Sequence, residues 1–145
     1  MSVEVEVVRE ATDEVVEAVS MLLPQLSGSA CAPDRESVTR LLRSDANTLL
    51  LARVDGRAVG MLTLIVFPLP SGLRGRIEDV VVDETARGHG VGAVLTEEAL
   101  RLAEAAGVRT VDLTSRPSRQ AANRLYERLG FRARESTGHR FVVRP

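Results

Sequence analysis

Val3-Glu4-Val5-Glu6-Val7 alternates apolar and charged positions, the period of a half-buried strand. The period then changes. Thr12-Asp13-Glu14 offers a helix cap and first-turn acids, and Val15, Val16, Val19, Leu22 and Leu23 recur at helical spacing until Pro24 ends the run. Pro33-Asp34 opens a shorter helix with Val38, Leu41 and Leu42 inward. Residues 48–54 predict a strand, Asp55-Gly56 a two-residue hairpin turn, and residues 57–67 the return strand. Two prolines and two glycines mark residues 68–75 as a loop. The next strand, 76–83, carries Val80-Val81-Val82, apolar on both faces as in a strand covered on both sides. A glycine-rich loop follows and leads into a helix with Val91, Val94, Leu95, Ala99, Leu102 and Ala106 on one face, stopped by Gly107. Residues 110–114 predict a short alternating strand. Arg116-Pro117-Ser118 opens a last helix that runs to Leu129 and stops at Gly130, and residues 131–135 and 140–143 close the chain as a hairpin around 136–139.

The expected order is therefore βααβββαβαββ, an α/β (α+β) fold. Strands 76–83 and 110–114 are joined through a helix, so they should be parallel neighbours; the rest should be largely antiparallel. A mixed, mostly antiparallel sheet of six to seven strands with helices on both faces is the predicted architecture. With no repeat and no linker, the 145 residues read as one domain.

Composition narrows the function classes. Hydrophobic residues are 44% and charged residues 27%, as in a globular chain. A net charge of -1 argues against a nucleic-acid partner, which calls for a basic excess. The apolar runs are too short to span a membrane, and the Val/Glu alternation at the start is not that of a signal peptide. Cys31 is the only cysteine, which excludes an internal disulfide and a cysteine-based zinc site and fits a reducing, cytoplasmic setting. No metal site is expected.

The candidate chemistry lies in Arg87-Gly88-His89-Gly90-Val91-Gly92, between the buried strand and the amphipathic helix. A tight strand-to-helix turn needs fewer glycines than three. A Walker loop needs a lysine, and the chain has none. A dinucleotide fingerprint needs glycine three residues after Gly90, where Ala93 stands. What remains is an anion site: bare N–H groups at a helix N-terminus, the helix dipole behind them, and the fixed charge of Arg87 beside them.

Arg87-x-x-Gly90-x-Gly92 following Glu78-Asp79-Val80-Val81-Val82-Asp83 resembles the acetyl-CoA signature of the GNAT superfamily of N-acetyltransferases. The segment Ala122-Asn123-Arg124-Leu125-Tyr126-Glu127-Arg128-Leu129-Gly130-Phe131 resembles that family's second signature, in the expected order. The resemblance is close over residues 76–131; before that it is one of element order. It implies a GNAT fold with a splayed central pair of parallel strands. The pantetheine arm would pair with the backbone of Val80, Val81 and Val82, and the pyrophosphate would rest on Arg87, Gly88, His89, Gly90, Val91 and Gly92. The implied reaction is direct transfer of acetyl from acetyl-CoA to a primary amine of a small molecule or a protein. The alternative class is a non-catalytic acyl-CoA-binding sensor or interaction module.

Such a transfer asks for a neutral amine, a stabilised oxyanion and a proton for the leaving thiolate. Tyr126, the only tyrosine, matches the family's acid; it is also placed to pack on Phe131 at the end of the last helix. Asn123, one turn earlier, matches a cofactor-arm ligand, or is a solvated helix position. Glu78 is the nominated general base, acting through water and sharing a face with Val80 and Val82; an ion pair with an arginine is the competing reading, and Asp79 or water are the alternative bases. His89 is expected to face solvent, His139 to border the acceptor, and Cys31 to be incidental. The acceptor site should be lined by loops 26–33, 68–75 and 136–139. These carry few charges, which disfavours a strongly cationic acceptor and leaves an anionic amine open. Phe141, Val142 and Val143 fit either core packing or a homodimer contact. Because every one of the 19 basic residues is arginine, an enzyme acting on lysine would find none on its own side chains, only its N-terminal amine.

Overall fold

The computed structural model describes residues 2–28 and 31–144. Met1, with the N-terminal amine, and Ser29 and Ala30, inside the first of the expected acceptor loops, lie outside the described residues. Two compact units divide the chain, residues 1–114 and 115–145. No helix among the described residues is long and apolar enough to cross a membrane.

The first unit contains β1 (Glu4–Val8), α1 (Asp13–Leu26), α2 (Arg35–Arg43), β2 (Asn47–Val54), β3 (Arg57–Leu69), β4 (Gly72–Val82), α3 (Val91–Ala106) and β5 (Thr110–Asp112). The strands stand in the sheet in chain order, β1-β2-β3-β4-β5, antiparallel except for β4 and β5, which are parallel as predicted. Thr12 Oγ1 accepts from the Val15 N–H and caps α1. The Asp55-Gly56 turn takes positive φ at both residues (51° and 78°), the geometry a two-residue hairpin requires.

Cross-strand pairs assign the two faces of the sheet. On one, Leu49, Leu51, Met61 and Val81 form a cluster with Val15, Ala18, Val19 and Leu22 of α1 and Val38 of α2. On the other, Leu50, Leu62, Leu64 and Ile77 are buried along with Val91, Leu95, Thr96, Ala99 and Ala103 of α3. Each fully buried leucine here contributes roughly 1.5–3 kcal/mol. Gly60 sets the depth of α3: a Cβ there would stand 2.9 Å from Val91 Cγ1, 3.1 Å from Leu95 Cδ1 and 3.2 Å from the Val81 carbonyl.

Four expectations change. α1 continues through Pro24 to Leu26, because a proline near the end of a helix removes one bond while the Ser27 N–H still reaches the Leu23 carbonyl (3.3 Å). Residues 68–75 are not a loop: β3 and β4 run on as a long hairpin, Pro68 opposite Leu73 and Leu69 opposite Gly72, turning at 70–71. Gly75 reads as a breaker in sequence but makes room for β5, since a Cβ there would meet Val111 Cγ2 at 3.2 Å. β5 ends at Asp112, two residues early.

The second unit holds α4 (Gln120–Arg128), which begins after a turn at 117–118, and an extended segment beyond it. The closing hairpin does not form, so among the described residues the sheet has five strands rather than six or seven. Phe141, Val142 and Val143 are 91%, 58% and 82% exposed. Two short strands with so little apolar surface do not hold together alone.

Candidate active site

β4 delivers the chain to the glycine loop. Its pairing with β5 covers Arg74, Gly75 and Arg76 only, so no described strand continues along that edge of β4 past Arg76. Val80, Val81 and Val82 lie on this last stretch. The Asp83 N–H returns to the Val59 carbonyl (2.8 Å), and a single 3-10 turn, Glu84–Ala86, follows, closed by Ala86 N–H on the Asp83 carbonyl (2.9 Å). Arg87 is extended and exposed, and its Nε donates to the Val82 carbonyl at 3.3 Å. Gly88 and Gly90 then take φ of +83° and +79°, which side-chain-bearing residues adopt at a cost of about 1–2 kcal/mol. Neither is crowded, since a Cβ at either would meet nothing within 4 Å. Their role is conformational: they turn the chain and leave open space in front of α3.

Gly90 is the N-cap of α3 and supplies no side-chain acceptor, and no acid stands in the first turn. The first-turn N–H groups of Val91, Gly92 and Ala93 precede the intrahelical ladder, so they and the helix dipole face outward without a capping side chain. Gly88, His89 and Gly90 are exposed, as expected of His89, whereas Val91 is buried and anchors the loop against Gly60. Thr96, fully buried, donates to the Gly92 carbonyl at 2.7 Å and ties down the first turn. The arrangement suits a diphosphate: outward N–H groups, a dipole and the Arg87 guanidinium.

Glu78 occupies a different face from the one expected. Glu78 pairs with Thr63 and Val81 with Met61, so Asp79 and Val80 together oppose Leu62. This is a β-bulge, and Asp79 takes φ +52° within it. The extra residue shifts the phase of the strand. Arg76, Glu78 and Val81 share the α1/α2 face, while Val82, opposite Gly60, lies on the α3 face; Glu78 therefore does not share a face with Val82. The Glu78 carboxylate accepts from Arg76 Nε at 2.5 Å, so the arginine pairing is realised. Asp79 is exposed at the bulge, yet partial desolvation, with the Glu78 carboxylate beside it, pushes its own carboxyl above the ordinary range.

In the second unit, α4 ends as its sequence predicts. Gly130 takes φ +101°, Gly130 N–H reaches the Glu127 carbonyl (3.1 Å) and Phe131 N–H the Tyr126 carbonyl (3.0 Å). The Tyr126 and Phe131 rings meet edge-on, centroids 5.7 Å apart. The packing role of Tyr126 is thus real. Burial also pushes its phenol above the usual value, with Arg119 acting weakly the other way, so the hydroxyl stays protonated. Asn123, one turn earlier, is neither idle nor free: its Nδ2 donates to the Arg116 carbonyl at 3.1 Å and holds the 116–119 turn to the helix, leaving its carbonyl oxygen as an acceptor.

One residue of this region carries no signal in the sequence. Gln25, in the last turn of α1, donates through Nε2 to Asp83 Oδ1 at 2.7 Å and accepts the Glu84 N–H at Oε1, 3.1 Å. Thr85 Oγ1 donates to the other Asp83 oxygen. These contacts hold the Asp83 carboxyl below its ordinary range, the Thr85 hydroxyl first and the Gln25 amide second.

Comparison with known proteins converges on the same elements. Residues 15–131 match the acetyltransferase (GNAT) family. Glucosamine 6-phosphate N-acetyltransferase of Trypanosoma brucei brucei is 40% identical over 83 residues, 55% of this chain and 54% of that protein. Mycothiol acetyltransferase of Thermomonospora curvata is 40% identical over 87 residues, 60% of this chain and 28% of that protein. These matches thus span about half or less of the length of the relatives. Among solved structures, a transcriptional regulator from Bacillus halodurans superposes with a TM-score of 0.82 at 26% identity, covering 97% of this chain and all of that one (100%).

Proposed function

Because the family match runs from residue 15 to residue 131, the chain belongs to the GNAT acetyltransferase family, and from that premise we propose that it is an acetyl-CoA-dependent N-acetyltransferase acting on a primary amine. The observation that carries this reading is the uncapped N-terminus of α3 behind Gly88 and Gly90, at the end of a strand whose edge past Arg76 has no strand partner. The family match crosses the boundary between the two units, which supports reading both as parts of one acetyltransferase domain. A lone thiol at Cys31 supports a cytoplasmic setting.

Each residue then has a task. The N–H groups at Gly88 to Gly92 and the Arg87 guanidinium would hold the pyrophosphate. The backbone of Val80 to Val82, along the edge of β4 that has no strand partner, would pair with the amides of the pantetheine arm, and the Asn123 carbonyl oxygen would accept from it. Acetyl-CoA supplies an acetyl group activated as a thioester. The amine nitrogen bonds to the carbonyl carbon, the carbon–sulfur bond breaks, and one proton passes from the amine to the base. Glu78 takes that role through water, with Asp79 the alternative, its raised affinity for a proton being in its favour. Tyr126, protonated in the neutral range, donates to the departing thiolate. Arg76, beside Glu78, favours an acceptor with an anionic group near its amine. The trypanosomal relative, named for glucosamine 6-phosphate, supports that class.

Calorimetric titration of acetyl-CoA into the wild type and into Gly90→Glu with Gly92→Glu tests the donor. The paired substitutions place bulk and negative charge on the diphosphate site. Binding that disappears in a still-folded double variant is expected; a wild type that binds no acetyl-CoA defeats the reading. A panel of amines tests the acceptor: activity on a polyamine with none on amino-sugar phosphates or amino acids overturns the anionic class.

A further inference from the structure

The 3-10 turn that feeds the glycine loop has no cap of its own, since Asp83, at its N-cap position, makes no side-chain capping bond. The acceptor for the Glu84 N–H comes instead from Gln25, 59 residues away in sequence, on α1. The amide orientation is fixed by chemistry: the Glu84 N–H can only donate, so it takes Oε1, and the Asp83 carboxylate can only accept, so it takes Nε2. Asp83 is in turn held by the Thr85 hydroxyl. One side chain thus clasps the end of β4 and the start of the turn together. Three residues later the chain reaches Arg87.

We propose that Gln25 is a positioning residue for the acetyl-CoA loop, a cap supplied from α1 that fixes where residues 87–90 and the first turn of α3 present their N–H groups. The inference rests on the acetyl-CoA reading above and deepens it: the affinity of the donor site depends on α1, which also leads into the 26–33 segment expected to border the acceptor. Loss of the amide frees the Glu84 N–H and one oxygen of the Asp83 carboxylate at once, and the turn loses its anchor to the helix.

The test is acetyl-CoA titration with Gln25→Ala, Gln25→Glu, and Gln25→Glu combined with Asp83→Asn, alongside amide hydrogen exchange over residues 84–92. Gln25→Ala should weaken binding about tenfold, the scale of a lost hydrogen bond to a charged group, and speed exchange across 84–92 with the melting temperature little changed. Gln25→Glu alone sets two carboxylates against each other and should weaken binding further. The double variant reverses the polarity of the clasp: the introduced carboxylate accepts both the Glu84 N–H and the introduced amide at position 83, at unchanged net charge. It should recover most of the affinity, a rescue that a purely structural residue would not show. Wild-type binding that Gln25→Ala leaves untouched overturns the inference while sparing the acetyl-CoA reading. A loss that the double variant fails to restore also overturns it. Absence of binding in the wild type removes both.

Discussion

Arg76 and Glu78 stand two residues apart on one face of β4, joined by a 2.5 Å hydrogen bond from Nε to the carboxylate, with 36% and 39% of their side chains exposed. A pair this open to water contributes little to stability, about 0–1 kcal/mol. It can therefore rearrange when an acceptor arrives. Arg76→Ala should leave urea unfolding within about 1 kcal/mol of the wild type, while raising the KM of an anionic acceptor. Glu78→Gln should lower kcat by about 10²-fold or more, as expected for a lost base, with acetyl-CoA affinity unchanged. Equal kcat values would pass the role to Asp79 or to water.

Tyr126 combines an observed packing contact with a proposed acid in one ring, and the hydroxyl separates them. Tyr126→Phe retains the edge-on contact with Phe131, so stability should stay within about 1 kcal/mol. Turnover should fall by about 10²–10⁴-fold if the phenol is the acid. The raised pKa gives a second handle. The folded state holds the phenolic proton more tightly than the unfolded chain, so this stability is complete below the unfolded value of about 10 and is lost as pH rises through the folded one. Melting followed from pH 9 upward should show a loss that Tyr126→Phe reduces.

Asp83 gives the opposite sign. Its folded pKa is depressed by Thr85 and Gln25, so its contribution is present above the unfolded value of about 3.9 and disappears as pH falls through the folded one. Thermal melts between pH 6 and pH 3 should fall less steeply for Asp83→Asn than for the wild type. The partly solvated setting of Asp83 makes this a small effect.

Gly60 controls how closely α3 approaches the sheet. Gly60→Ala places a Cβ against Val91, Leu95 and the Val81 carbonyl, and should cost about 1–3 kcal/mol in denaturant unfolding. Because Val91 and the first turn of α3 would be pushed outward, acetyl-CoA affinity should fall as well. Unchanged affinity with lost stability would show that the loop adjusts independently of the helix.

The features legible in the sequence are those governed by local rules. The Asp55-Gly56 turn, the Gly107 and Gly130 helix stops, the contact of Tyr126 with Phe131 and the parallel partnership of β4 with β5 all follow from neighbouring residues or short connections. The glycine loop was legible because a positive φ at Gly88 and Gly90 is a backbone requirement with a sequence signature. The misses are tertiary. Gly75 looks like a break in the sequence, whereas its missing side chain admits Val111. The bulge at Asp79 and Val80 leaves no mark in the hydrophobic alternation beyond two adjacent acids, so the alternation places Glu78 one phase out. Gln25 meets Asp83 across 58 positions of chain, which no local pattern encodes.

The bulge also makes β4 uneven in its tolerance of changes in length. Over most of a paired strand, losing one residue turns every following side chain to the opposite face and brings charge into the core. At position 79 the outcome differs. Glu78 would still face Thr63, Val81 would still face Met61, and Val80 would become the sole partner of Leu62. The ladder would become regular and the left-handed residue would be gone. Folding alone therefore places no demand on the residue at 79, and a shortened β4 would be the more relaxed strand. What the extra residue does is set the Asp79 carboxyl beside Glu78, the carboxylate proposed as base.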